Sequence, residues 1–70
     1  MLADSPERFG AALRERRRQV GITQAQLADA TGVSRQTIIE IERGKPNARL
    51  YIALRLAQML GIDVTLQPRS

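Results

Sequence analysis

Apolar side chains return at helical spacing in four successive stretches of the chain, then at alternate positions over a short stretch near the C-terminus. In the first stretch Phe9, Ala12, Leu13 and Val20 keep one face. Ser5, Pro6 and Glu7 precede it: serine caps, proline suits the first helical position, and the acid meets the positive end of the dipole. A helix is therefore predicted from Pro6 to about Val20, ended by Gly21, with Arg14, Arg16, Arg17 and Arg18 crowding its other faces.

Thr23 followed three residues on by Gln26 forms a capping box, and predicts a second helix over Gln24 to Thr31 that buries Leu27 and Ala28 and stops at Gly32. Ser34 caps a third, Arg35 to Arg43, with Thr37 or Ile38 and Ile41 inward, Val33 helping just before the cap and Gly44 closing it. Asn47 is the expected cap of a fourth, Ala48 to Leu60, burying Leu50, Ala53, Leu54, Ala57 and Leu60 ahead of Gly61.

The last stretch, IDVTLQ at 62–67, alternates apolar Ile62, Val64 and Leu66 with polar neighbours and reads as a β-strand ended by Pro68. No other strand is predicted to pair with it, so the expected partner is the same segment of a second copy in a homodimer. A disordered end is the other reading of this segment. The predicted fold class is all-α: a small helix-turn-helix bundle of four to five helices, with a short C-terminal β-strand pairing across a dimer.

Composition narrows the chemistry. Seventy residues make one small domain, near the size where a single core barely offsets conformational entropy. Cysteine and histidine are both absent, which excludes disulfides, thiolate nucleophiles, imidazole bases and the usual zinc sites. No catalytic residue, metal site or cofactor is expected. No apolar run approaches the roughly 20 residues that span a bilayer, and MLADSPERFG lacks the apolar core of a signal peptide; the chain reads as cytoplasmic, with no membrane partner. The net charge is +4, and ten of the eleven cations are arginine, suited to planar contact with phosphate and guanine. Phe9 and Tyr51 are the only aromatic residues, too few for single-strand stacking platforms, so double-stranded DNA is the expected nucleic-acid partner.

Two short helices about a tight TGVS turn, flanked by a basic first helix, form the helix-turn-helix pattern, whose second element enters the major groove. Arg35 and Gln36 at the start of that element match bidentate pairing to guanine and adenine. Ile39 and Glu40, one turn on, match a thymine methyl and cytosine N4. Alternatives stand beside these: Ile39 as an incidental exposed residue, Glu40 as the i to i+3 partner of Arg43, and Arg14, Arg16 and Arg18 as a solvated face or as phosphate ligands. Asp29, Arg55 and Gln58 offer a polar surface that nothing in the sequence singles out.

QAQLADATGVSRQTIIEIERGK resembles the XRE or Cro/CI-type helix-turn-helix repressors, and the resemblance extends over about 50 residues, from Leu13 to Ile62. It implies a lambda-repressor-like bundle over residues 1–61 with a dimerisation tail at 62–70. By position it implies base reading by Arg35, Gln36, Ile39 and Glu40, and DNA backbone contacts from Gln24, Ser34, Thr37, Arg43, Lys45 and Arg49. It further implies a structural ion pair between Arg17 and Glu42. The continuation through LGIDVTL into a β-tail is similar to the HipB-type antitoxins, which pair their tails across a dimer, repress their own operon and neutralise a HipA-like serine/threonine kinase toxin. The expected function is thus a sequence-specific repressor acting as such an antitoxin. An orphan phage-like or restriction-controller regulator is the alternative, and a protein-only adaptor that has lost DNA binding is the alternative of another class.

Overall fold

The computed structural model describes residues 4–69. Four helices follow one another: α1 (Pro6–Val20), α2 (Gln24–Thr31), α3 (Arg35–Glu42) and α4 (Leu50–Met59). Each of the first three begins where a side chain replaces a missing intrahelical acceptor. Ser5 Oγ accepts from the Arg8 N–H at 3.1 Å, and Ser34 Oγ from the Thr37 N–H at 3.1 Å. At α2 the exchange is reciprocal, Thr23 Oγ1 accepting from the Gln26 N–H at 3.0 Å and Gln26 Oε1 from the Thr23 N–H at 2.8 Å.

The turn between α2 and α3 is organised from inside. Thr31 is 2% exposed, and its hydroxyl donates to the Leu27 carbonyl at 2.7 Å while accepting from the Val33 N–H at 3.2 Å. Gly32, at φ 74°, then takes the left-handed conformation that a side chain resists. Leu13, Leu27, Ile38, Ile41, Leu56, Ala57 and Leu60 form the buried core, with Phe9, Ile22 and Val33 packed against it.

Two contacts bring α1 close to the other elements. Gly10 is buried in the middle of α1, and a Cβ there would fall on the Ile41 carbonyl oxygen and 2.9 Å from that of Glu42. The missing side chain is what lets α1 lie against the backbone of α3. Arg16 Nε donates to the Leu60 carbonyl at 2.9 Å and ties the end of α4 to α1.

The structure departs from the sequence expectations at the two ends of the bundle. Val20 is 48% exposed, because Arg17 and, past the Gly21 stop, Ile22 take the inward places there. Asn47 is not a cap: α4 starts at Leu50, with Arg49 at the capping position and no side-chain hydrogen bond. Ala53, Ala57 and Leu60 are buried as expected, but Leu56 completes the inward face in place of Leu50 and Leu54. Leu56 is the most buried residue at 0%, whereas Leu50 is 70% and Leu54 38% exposed. Apolar residues surround this helix on every side, so periodicity could not choose among its faces.

The expected C-terminal strand is also not found. Among the described residues no strand forms, and residues 62–69 run on from α4 without ladder hydrogen bonds. The Ile62 N–H donates to the Ala57 carbonyl at 2.9 Å and closes the end of α4, and past it a single chain offers this segment no second strand to pair with.

Candidate nucleic-acid interface

The reading face predicted on α3 follows from which residues the core takes. Ile38 and Ile41 are buried on one side, which turns Arg35, Gln36, Ile39, Glu40 and Arg43 outward in a stripe on the opposite side. Arg35, Gln36 and Arg43 are exposed, while Ile39 and Glu40 are half-buried. Ser34 Oγ also donates to Thr37 Oγ1 at 2.8 Å, so both hydroxyls stand at the start of the helix. Lys45 and Arg49 are exposed beyond the far end.

An open groove of about 1060 Å³ lies beside this stripe, with Arg14, Arg18, Gln24, Arg35, Ile39 and Arg43 among its walls. Arginines from α1 and α3 thus converge on one concavity, which concentrates positive potential. The α1 arginines divide accordingly. Arg14 and Arg18 border the groove, whereas Arg16 is engaged with Leu60.

Beneath the groove the structure brings Arg17, Glu42 and Gln24 together. Arg17 Nε donates to Glu42 Oε2 at 2.7 Å, Nη2 to Oε1 at 3.1 Å, and Nη1 to the Ile22 carbonyl at 2.9 Å. The side chains are 10% and 4% exposed, so the pair is largely out of water. The hydrogen bond from Arg17 to Glu42 raises the guanidinium pKa against the desolvation that opposes it, and the charge is retained. Gln24 Nε2 donates to Glu42 Oε1 at 3.1 Å, so this residue, expected at a phosphate, has its amide anchored to the clamp.

Glu40 does not pair with Arg43 among the described residues. Its carboxylate accepts from Lys45 Nζ at 3.1 Å and from Gln36 Nε2 at 3.4 Å. These bonds, the one from Lys45 first, hold its pKa below the ordinary carboxylate value. Ile62 is half-buried, and Val64 and Leu66 are 45% and 94% exposed.

Three positioning residues escaped the sequence reading. Gly10 carried a usable signal, since a mid-helix glycine costs about 1 kcal/mol and calls for a packing reason. Thr31 and Arg16 carried none, because their partners are backbone carbonyls. Among the described residues no group of three or more acidic, histidine or cysteine side chains could hold a metal ion, and no helix is long and apolar enough to cross a membrane.

A helix-turn-helix family, HTH_3, matches residues 13–67 of this chain, from mid-α1 into the tail. The chain belongs to this helix-turn-helix family. An HTH-type transcriptional regulator of Methanothermobacter thermautotrophicus is 47% identical over 49 residues, which are 70% of this chain and 71% of that one. One from Sinorhizobium fredii is 33% identical over 60 residues, 86% and 79% of the two chains. Among solved structures, HipB in its O4 20mer complex superposes with a TM-score of 0.88 at 28% identity, over 100% of this chain and 99% of that one. The HipA-HipB-O2-O3 complex gives the same TM-score, identity and coverage. This helix-turn-helix protein is accordingly a DNA-binding regulator of transcription, in a family that is not enzymatic.

Proposed function

We propose that the protein is a homodimeric repressor in which α3 of each protomer enters one of two successive major grooves about one helical turn apart. The observation that carries this reading is the outward stripe on α3 beside an arginine-lined groove. Arg35, Gln36, Ile39 and Glu40 select bases. Gln24, through the second amide hydrogen that Glu42 does not take, together with Ser34, Thr37, Arg43 and Arg49 sets the register on the DNA backbone, with Arg14 and Arg18 adding positive charge along the α1 wall.

Dimerisation falls to residues 62–70, whose Ile62, Val64 and Leu66 would pair with the same segment of a second copy. The exposed Val64 and Leu66 support this, as do Leu50, Tyr51 and Leu54, an apolar patch on α4 that is 70%, 72% and 38% exposed. Similarity to HipB over the whole chain supports an antitoxin role, with a HipA-like kinase toxin as protein partner and the operon's own operator as DNA target.

A regulator without a toxin is the second reading. It is favoured by the 47% identity to an HTH-type transcriptional regulator, which exceeds the 28% to HipB. Selection from a randomised duplex library tests the repressor reading, with inverted half-sites expected; a pool without a repeated half-site contradicts it. Co-expression with the product of the neighbouring open reading frame separates the other two. A co-purifying kinase whose toxicity is suppressed supports the antitoxin, and a neighbour without kinase activity supports the orphan regulator.

A further inference from the structure

Lys45, expected among the phosphate ligands, is tied twice to Glu40. Its ammonium lies 3.1 Å from Glu40 Oε2, and its backbone N–H donates to the Glu40 carbonyl at 3.0 Å. The second bond belongs to the helix stop: the Gly44 N–H meets the Ile41 carbonyl at 3.0 Å, and the Lys45 N–H reaches one residue further back. Gly44, at φ 86° and packed on the backbone of Glu7, fixes that turn, so Lys45 is placed over Glu40 by the main chain.

On the other carboxylate oxygen, Gln36 Nε2 donates to Oε1 at 3.4 Å. A carboxylate has no hydrogen to give, so Gln36 must turn its NH₂ edge toward Glu40. That leaves the Gln36 carbonyl and its second amide hydrogen facing outward, the pair of groups that meets adenine N6 and N7. Each Glu40 oxygen keeps a free lone pair, which accepts from an amino group such as cytosine N4 and repels the acceptor edges of guanine and thymine.

Resting on the assignment of α3 to the major groove, we infer that Lys45 is the resident counter-ion of Glu40 and not a phosphate ligand, and that it holds Gln36 and Glu40 in register as one base-reading unit. Neutralised by Lys45, the carboxylate can approach a polyanion; aligned by it, the carboxylate discriminates between base edges. Lys45 is thus a positioning residue for specificity.

The test compares wild type, Lys45→Ala, Glu40→Gln and the double variant on two duplexes. One is the preferred duplex selected by the wild type, and the other a duplex of the same length and arbitrary sequence. Lys45→Ala should lower the preference for the selected duplex about tenfold, as Glu40→Gln does, and the double variant should be no worse than either single one. A plain phosphate ligand behaves otherwise. If Lys45→Ala weakens both duplexes equally and lowers the salt slope by about 0.9, the inference is overturned. Additive losses in the double variant overturn it as well. If the wild type prefers no duplex, the base-reading assignment of α3 falls first and the inference with it. Thermal melts of all four proteins should lie within a few degrees of one another, since a solvent-accessible pair contributes little to folding; a variant that has lost its fold at the assay temperature would overturn the reading of Lys45 as a positioning residue for specificity.

Discussion

Arg17 and Glu42, one on α1 and one at the end of α3, share two parallel hydrogen bonds of 2.7 and 3.1 Å with their side chains almost out of water. The pair fixes the reading helix to the first helix. Glu42→Ala leaves the guanidinium buried without its counter-ion, with an expected loss of about 3 to 5 kcal/mol in folding stability. Urea denaturation reads this directly, and an unchanged midpoint would contradict it.

Gly10→Ala should destabilise the protein although alanine is the better helix former. The propensity gain of about 1 kcal/mol is opposed by a methyl group forced onto the Ile41 carbonyl. Helix separation should make the net effect a loss of about 1 to 3 kcal/mol, seen as a lower melting temperature. A variant that melts higher would show that α1 and α3 do not need their close approach.

Arg35→Ala and Arg43→Ala should fail in different ways. Loss of Arg35 removes a base contact, so discrimination at one base pair falls by about 1 to 3 kcal/mol. Loss of Arg43 should weaken all duplexes alike and lower the salt slope by about one. Titrations at several salt concentrations against single-base variants of the selected duplex separate the two outcomes, and interchanged behaviour would reverse the roles.

Removal of residues 62–70 should give a monomer in sedimentation equilibrium, with the helical bundle kept at a lower melting temperature, since the fully buried core ends at Leu60 but Ile62 packs against it. A truncated chain that stays dimeric would shift the dimer contact to α4.

Glu40 provides a pH readout. Its folded pKa lies below the ordinary value of 4.5, through the hydrogen bond from Lys45 and then that from Gln36. The stabilisation it contributes is present in full above 4.5 and is lost as the pH falls through the lower folded value. A titration of the Glu40 carboxyl carbon by NMR should show this depressed midpoint, and Lys45→Ala should move it upward. A midpoint indifferent to residue 45 would break the proposed pairing.

The legible parts of the fold were those written in local chemistry. Ser5, Thr23 with Gln26, and Ser34 mark three helix starts, and Gly21 and Gly32 mark stops, because each acts within one turn of itself. The start of α4 was hidden because Arg49 caps nothing, and its inward face because both sides of that helix are apolar. The outward face of α3 could be read from its pattern. The bonds that tie Glu40 to Lys45 could not, since they depend on the path of the chain after Gly44.

Arg16 and Arg17 are neighbours in the sequence with opposite commitments: one grips the end of α4, where the tail departs, and the other grips the end of α3. One turn of α1 thereby joins the part that touches bases to the part that would meet a second copy. In the proposed two-fold pair α1 would serve as a strut between the reading helix and the root of the tail, so the separation of the two reading heads would be set by the protein. Half-sites set closer or farther apart would have to be accommodated by twisting the DNA.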